Sequence, residues 1–309
     1  LTDLKARATP SGQTHRMAAL LASFRSLVLP REHGSWSLAL EPIALGLLVA
    51  PTRAGAWLAL AAAAAFLTRR PLKLSLTTPA PDPRRPTAAR WTFLLTALAL
   101  VALTVAIGAI EQQISHASAA LPGGAEALGA NEQQWSGRAA AQGTLIQLGP
   151  LLLAVPFGAA FLWFDLRGEM RETEAELCGS LTFALLPMTF ATLAGWSAVP
   201  ALALAAAMIG RSAPTVLTVR AFLRRVKGQR AAVGPALSAA GGGGAVLVFL
   251  WRMELVPATV AAFAAIFALR SAWLLSRWAP RWSARRIGTL EAVLGVAFLG
   301  ALTFAYRAT

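Results

Sequence analysis

Nine long apolar runs divide the chain, and they constrain the fold more than any other feature of it. They fall near Ser35–Ala50, Ala54–Thr68, Trp91–Ile110, Thr144–Phe164, Leu177–Gly195, Val199–Gly210, Gly234–Leu250, Leu255–Leu274 and Ile287–Ala305. A helix needs roughly 20 mainly apolar residues to cross the hydrocarbon of a bilayer. Backbone polar groups find no water there, so only helices and closed barrels can cross. The runs are continuous and lack the two-residue alternation of barrel strands, which leaves helices. Composition agrees: 56% of residues are hydrophobic and 14% charged, where a soluble domain carries roughly a quarter charged. A soluble enzyme and a disordered chain are excluded, and the single Cys178 excludes an internal disulfide framework. The expected fold is all-α, a polytopic bundle of nine transmembrane helices over residues 31–309 behind an N-terminal arm, residues 1–30.

The net charge of +14 sits in short clusters between the apolar runs. The arm, the second-to-third loop, the fourth-to-fifth, the sixth-to-seventh and the eighth-to-ninth together hold every Lys and Arg except Arg53, Arg138, Arg252 and Arg307. By the positive-inside rule this places the N-terminus in the cytoplasm and, after nine crossings, the C-terminus outside. Trp36, Trp91, Trp163, Trp273, Trp278 and Trp282 fall at the cytoplasmic ends of the runs, and Trp57, Trp196 and Trp251 at the opposite ends, as an aromatic belt requires. Clusters of this kind face anionic membrane lipids, so the expected partners are lipids and not nucleic acid. The arm has no short apolar core followed by a small-residue cleavage site, so no signal peptide is expected. Residues 111–143, with Pro122, Gly123 and Gly124, read as an outer surface loop carrying one short helix. Gly241 to Gly244 lie inside the seventh run, where glycines favour close helix packing.

Ionisable residues inside a membrane are costly and mark functional positions by default. Glu41 lies about two turns into the first run and Glu291 about a turn into the ninth. His33 precedes the first run, eight residues from Glu41, a spacing that sets both on one helix face. Arg69, Arg70 and Lys73 close the second run, Asp165 and Arg167 follow the fourth, and Arg211 and Arg220 close the sixth. All belong to the cytoplasmic half. Such one-sided polarity suits a cavity open to the cytoplasm that takes an amphiphile with an anionic head. Arginine binds phosphate or carboxylate through a two-pronged fork, so Arg69, Arg70, Lys73, Arg211 and Arg220 are the candidate head-group ligands, with Asp165, Arg167 and Glu291 beside them. Glu41 and His33 are the candidate proton-transfer groups. Equally, an Arg at a helix end is routine, and Glu41 can pair with a neighbouring Arg to lock two helices. Three histidines and one cysteine argue against a zinc, iron–sulfur or haem site, so no metal or cofactor is expected.

The strings Pro30-Arg-Glu-His-Gly-Ser-Trp with Glu41-Pro42, Arg69-Arg70-Pro71-Leu72-Lys73, and Asp165-Leu-Arg-Gly-Glu resemble the YwiC-like family of bacterial integral membrane proteins. So do Val219-Arg220-Ala221-Phe222 and Arg286-Ile287-Gly288-Thr289-Leu290-Glu291. The resemblance implies a bacterial cytoplasmic membrane and no settled activity. A more distant similarity is to the UbiA-type intramembrane prenyltransferases, which implies nine helices around a cytoplasm-facing cavity. Those enzymes carry two Asp-rich motifs that bind magnesium and neutralise a diphosphate leaving group. Here the matching loops offer Arg69, Arg70, Lys73, Arg211 and Arg220, so no magnesium site carries over.

Two functional readings follow. The first is a ligand-handling protein that holds an isoprenoid or lipid phosphate in the cytoplasmic cavity. The second is a structural or assembly subunit of a respiratory or photosynthetic membrane complex, docking other subunits through the outer loop or the basic arm. A transporter fits less well, since nine crossings do not divide into equal inverted repeats.

Overall fold

A computed structural model describes residues 21–29, 33–119, 132–170 and 172–308. Most of the expected N-terminal arm, and residues 120–131 of the expected outer loop, lie outside the described residues. Among the described residues there is no strand, and ten helices carry the chain. They are α1 His33–Val49, α2 Arg53–Thr77, α3 Arg84–Ala119, α4 Glu132–Leu166, α5 Thr173–Ala184, α6 Leu186–Leu193, α7 Ala198–Val226, α8 Val233–Arg252, α9 Thr259–Leu274 and α10 Ala284–Ala308. The fold is all-α.

Eight of the nine apolar runs fall on a single helix, with Ala50 just past α1 and residues 255–258 just before α9, and Leu177–Gly195 falls across α5 and α6. Six stretches are long and apolar enough to cross a membrane: 84–116, 143–166, 173–193, 198–226, 233–252 and 284–308. The apolar parts of α1 and α9 are shorter, Ala39–Val49 and Thr259–Leu274. Helix α2 carries Arg69, Arg70 and Lys73 within its own length. The expected outer loop is shorter than residues 111–143, because α3 runs on to Ala119 and α4 starts at Glu132.

Local chemistry sets the boundaries. Thr52 caps α2 by accepting the Gly55 N–H at 2.9 Å, satisfying one of the orphan donors of a helix start. Pro187 lies in the first turn of α6 and has no N–H to donate to Phe183, so the rod breaks at Leu185. Gly168, Gly195 and Gly228 take positive φ after α4, α6 and α7, the left-handed turn that ends many helices.

Neighbouring helices close into a circuit: α2 on α3, α3 on α4, α4 on α5, α5 on α7, then α7, α8, α9 and α10 in order, with α10 against α1 and α1 against α2. Helix α1 also touches α5 and α6, so it joins two apolar cores. One core gathers Leu45 of α1 with Met208, Leu247, Phe267 and Phe298. The other gathers Ile43 and Leu58 with Ile110, Phe183 and Phe190. Phe190 is fully buried and rests on the bare backbones of α1 and α2: a Cβ at Gly46 would lie 2.1 Å from its ring and one at Gly55 3.0 Å. The α7–α8 crossing brings backbone against backbone, since a Cβ at Gly243 would lie 2.4 Å from the Gly210 carbonyl oxygen. Gly241 and Gly242 face open space, so only one glycine of that run makes the crossing.

Candidate functional site

Four charged side chains from four helices meet inside the bundle. Glu41 of α1 pairs with Arg211 of α7, and Glu291 of α10 pairs with Arg270 of α9. All four are buried; the side chains of Arg211 and Glu41 are 5% and 8% exposed. Ser37, one turn before Glu41, donates its hydroxyl to that carboxylate. Arg211 also donates to the Glu291 backbone carbonyl at 3.2 Å, which ties the two pairs together. Arg270 donates to the Ser271 hydroxyl at 3.1 Å, and that oxygen accepts from Thr218 at 3.1 Å. Gly295 makes the room: a Cβ there would fall 2.1 Å from a Glu41 carboxylate oxygen and 2.4 Å from an Arg211 nitrogen. Two guanidinium groups and two carboxylates balance, as burial of charge demands.

A second cluster joins α2 to the end of α4. Arg69 contacts Asp165 at 2.8 Å and Lys73 contacts the same carboxylate at 3.2 Å. The Arg69 guanidinium lies 5.3 Å from the Phe66 ring centroid and 4.7 Å from that of Phe161, within the range of cation–π attraction. Asp165 is buried, whereas the Lys73 side chain is 30% exposed. A third cluster lies at the same end, where Arg220 of α7 reaches Glu176 at 3.5 Å and Glu172 at 3.8 Å.

The expected site residues thus divide. Arg69, Lys73 and Asp165 come together, and Glu41, Arg211 and Glu291 come together, but Arg220 joins neither group. Arg70 donates to the Leu29 carbonyl. Arg167 stacks on Trp163, its guanidinium carbon 4.3 Å from the ring centroid. The His33 side chain, with Arg31, Glu32 and Arg171, lies outside the described residues.

Arg270 was absent from the sequence-derived candidates. It lies near the end of an apolar run, where arginine is ordinary, and its burial reveals the role. A usable signal existed, because Arg270 falls inside Leu255–Leu274 and not after it. Among the described residues no group of three or more His, Cys, Asp or Glu is placed to hold a metal ion. A pocket of about 370 Å³ lies at the opposite end of the bundle, between Trp251, Glu254, Pro257 and Tyr306, away from all three clusters.

Comparison with known proteins adds one match. Residues 29–135 fit the family described as YwiC-like protein. That segment holds α1 to α3, and with them Glu41, Arg69 and Lys73, while their partners Arg211 and Asp165 lie beyond it. No curated protein matches the chain. No solved structure matches it either.

Proposed function

Starting from a chain that is YwiC-like over residues 29–135, we propose a nine-crossing protein of the bacterial inner membrane that holds the head group of an amphiphilic anion at the α2–α4 cluster. The observation that carries this reading is the convergence of Arg69 and Lys73 on Asp165 beside the Phe66 and Phe161 rings. Cationic donors adjoin apolar surface there, which is the pairing an isoprenoid or lipid phosphate needs. Lys73 is the reachable donor, able to turn from Asp165 to an arriving phosphate oxygen. The basic end faces the cytoplasm in this reading, with the C-terminus outside. Support for nine crossings comes from the count of helical rods, taking α5–α6 as one, and the circuit of contacts suits a UbiA-like scaffold. In this reading Arg211 serves the interior pairing and the head group falls to Arg69 and Lys73, while Glu41 is engaged by Arg211 and Ser37, so no reaction is assigned to it.

Lipid mass spectrometry on gently purified protein tests the proposal. An anionic amphiphile should co-purify with the wild type and be depleted from Lys73→Gln, which alters one part-exposed side chain. If nothing anionic co-purifies, or Lys73→Gln retains it in full, the proposal fails.

One observation favours the structural or assembly reading: each guanidinium of the interior quartet already has a carboxylate partner. Native gel migration separates the two readings. A subunit of a larger complex migrates with its partners, and a solitary or self-paired species removes this second reading.

A further inference from the structure

The basic end is not uniform. Near α2 and α4 the cations alternate with acidic residues: Asp82 precedes Arg84 and Arg85, and Glu169 follows Arg167. On the α7–α10 side the chain has no Asp or Glu between Glu176 and Glu254, nor between Glu254 and Glu291. The last turn of α7 and the α7–α8 connection expose Arg224, Lys227 and Arg230. The α9–α10 connection and the first turn of α10 expose Arg277, Arg281, Arg285 and Arg286.

Tertiary packing merges the two connections into one surface. Phe222, Ala236, Leu274 and Ile287 form a single apolar cluster that draws the ends of α7, α8, α9 and α10 together. Arg225 donates across it to the Leu275 carbonyl. Of the acidic residues flanking this stretch of chain, Glu172 and Glu176 contact Arg220, and Glu291 is buried against Arg270. Indole groups complete the patch. Trp278 is 73% exposed beside Arg277, and Trp273 packs edge-on against Trp282 with centroids 5.4 Å apart.

Topology alone explains cations in every loop at this end, but it does not explain the exclusion of carboxylates, which contribute little to orientation. We infer that the joined α7–α8 and α9–α10 connections form a binding surface for anionic phospholipid head groups. Phosphate is the chemistry that exposed guanidinium groups match, and exposed tryptophan beside a membrane-crossing helix belongs at head-group depth. A nucleic acid would meet the cations but would leave the tryptophans at the membrane surface unused. This surface is separate from the Lys73 cluster, and Lys73→Gln leaves it intact.

The test uses the full chain in detergent, titrated with phosphatidylglycerol, cardiolipin or phosphatidylcholine and read by native mass spectrometry and thermal unfolding. The two anionic lipids should be retained and raise the unfolding temperature, while phosphatidylcholine should do neither. The triple variant Arg281→Gln, Arg285→Gln, Arg286→Gln should lose about tenfold or more in anionic-lipid affinity, by the usual strength of surface charge at a bilayer. The corresponding triple lysine variant should keep it, which guards against simple misfolding. Arg84→Gln with Arg85→Gln should change it less than about twofold. Equal retention of the three lipids, or equal losses in the two glutamine variants, overturns the inference. So does a single-stranded oligonucleotide that binds the wild type more tightly than phosphatidylglycerol vesicles and is lost in the triple glutamine variant.

Discussion

Arg211 occupies a place where a lone guanidinium could not remain. Its side chain is 5% exposed, and Glu41, the Glu291 carbonyl and the Phe267 ring surround it. Removing one member of such a pair strands the other, which costs about 3–5 kcal/mol. Arg211→Ala should therefore destabilise the protein by about that much, measured by unfolding in detergent. The double replacement Arg211→Met, Glu41→Leu should recover most of the loss, because well-packed apolar groups often match a buried ion pair. Additive losses in the double variant would show that the two residues are not coupled. Gly295 belongs to the same small volume. A valine there would drive its Cβ into Glu41 and Arg211, and an overpacking cost of about 1–3 kcal/mol is expected. Gly300→Ala meets nothing within 4 Å and should be silent in the same assay.

Between elements, glycine decides how near two helices come. Helices α7 and α8 touch backbone to backbone at Gly210 and Gly243, with the Pro214 ring alongside. Lipid tails are as apolar as leucine side chains, so association of membrane helices depends on close packing and not on escape from water. Gly243→Leu should force the pair apart and lower the unfolding temperature, whereas Gly241→Ala and Gly242→Ala, facing open space, should leave it unchanged. If all three behave alike, this crossing does not hold α7 to α8. The same logic applies to α6, whose Phe190 fills the gap that Gly46 and Gly55 leave on α1 and α2. The break at Leu185 sets the position of that ring, since α6 begins a fresh helical phase at Leu186.

At the scale of the molecule, the count of crossings turns on the shortest rods. Helix α9 has 16 residues, about 24 Å at 1.5 Å per residue, against a hydrocarbon core of about 30 Å. Local thinning and interfacial anchors cover a mismatch of that size, and Trp273 and Trp251 stand near its two ends. In a Cys178→Ser background, Ser283→Cys should react with a membrane-impermeant thiol reagent only from the cytoplasmic side, and Ala258→Cys only from the outside. Labelling of both from one side would mean that α9 does not cross, and the inferred orientation of everything after it would reverse.

Hydropathy and charge accumulate along the chain without reference to distant contacts. For that reason the helical class, the positions of the apolar runs, the basic end and the YwiC-like signature were all legible in order of residues alone. Suspicion of Glu41 was legible too, because a short acidic side chain two turns inside an apolar run must find a cation or give up its charge. Which cation it finds depends on the rotation and tilt of helices whose residues are separated by more than half the chain, and only the packed bundle sets those angles. Tertiary structure therefore selected Arg211 for Glu41 and Asp165 for Arg69, brought Arg270 in from what read as a loop charge, and sent Arg220 to the rim with Glu172 and Glu176. A charge on a helix looks the same in sequence whether it faces lipid head groups or another helix; burial is a property of the neighbours.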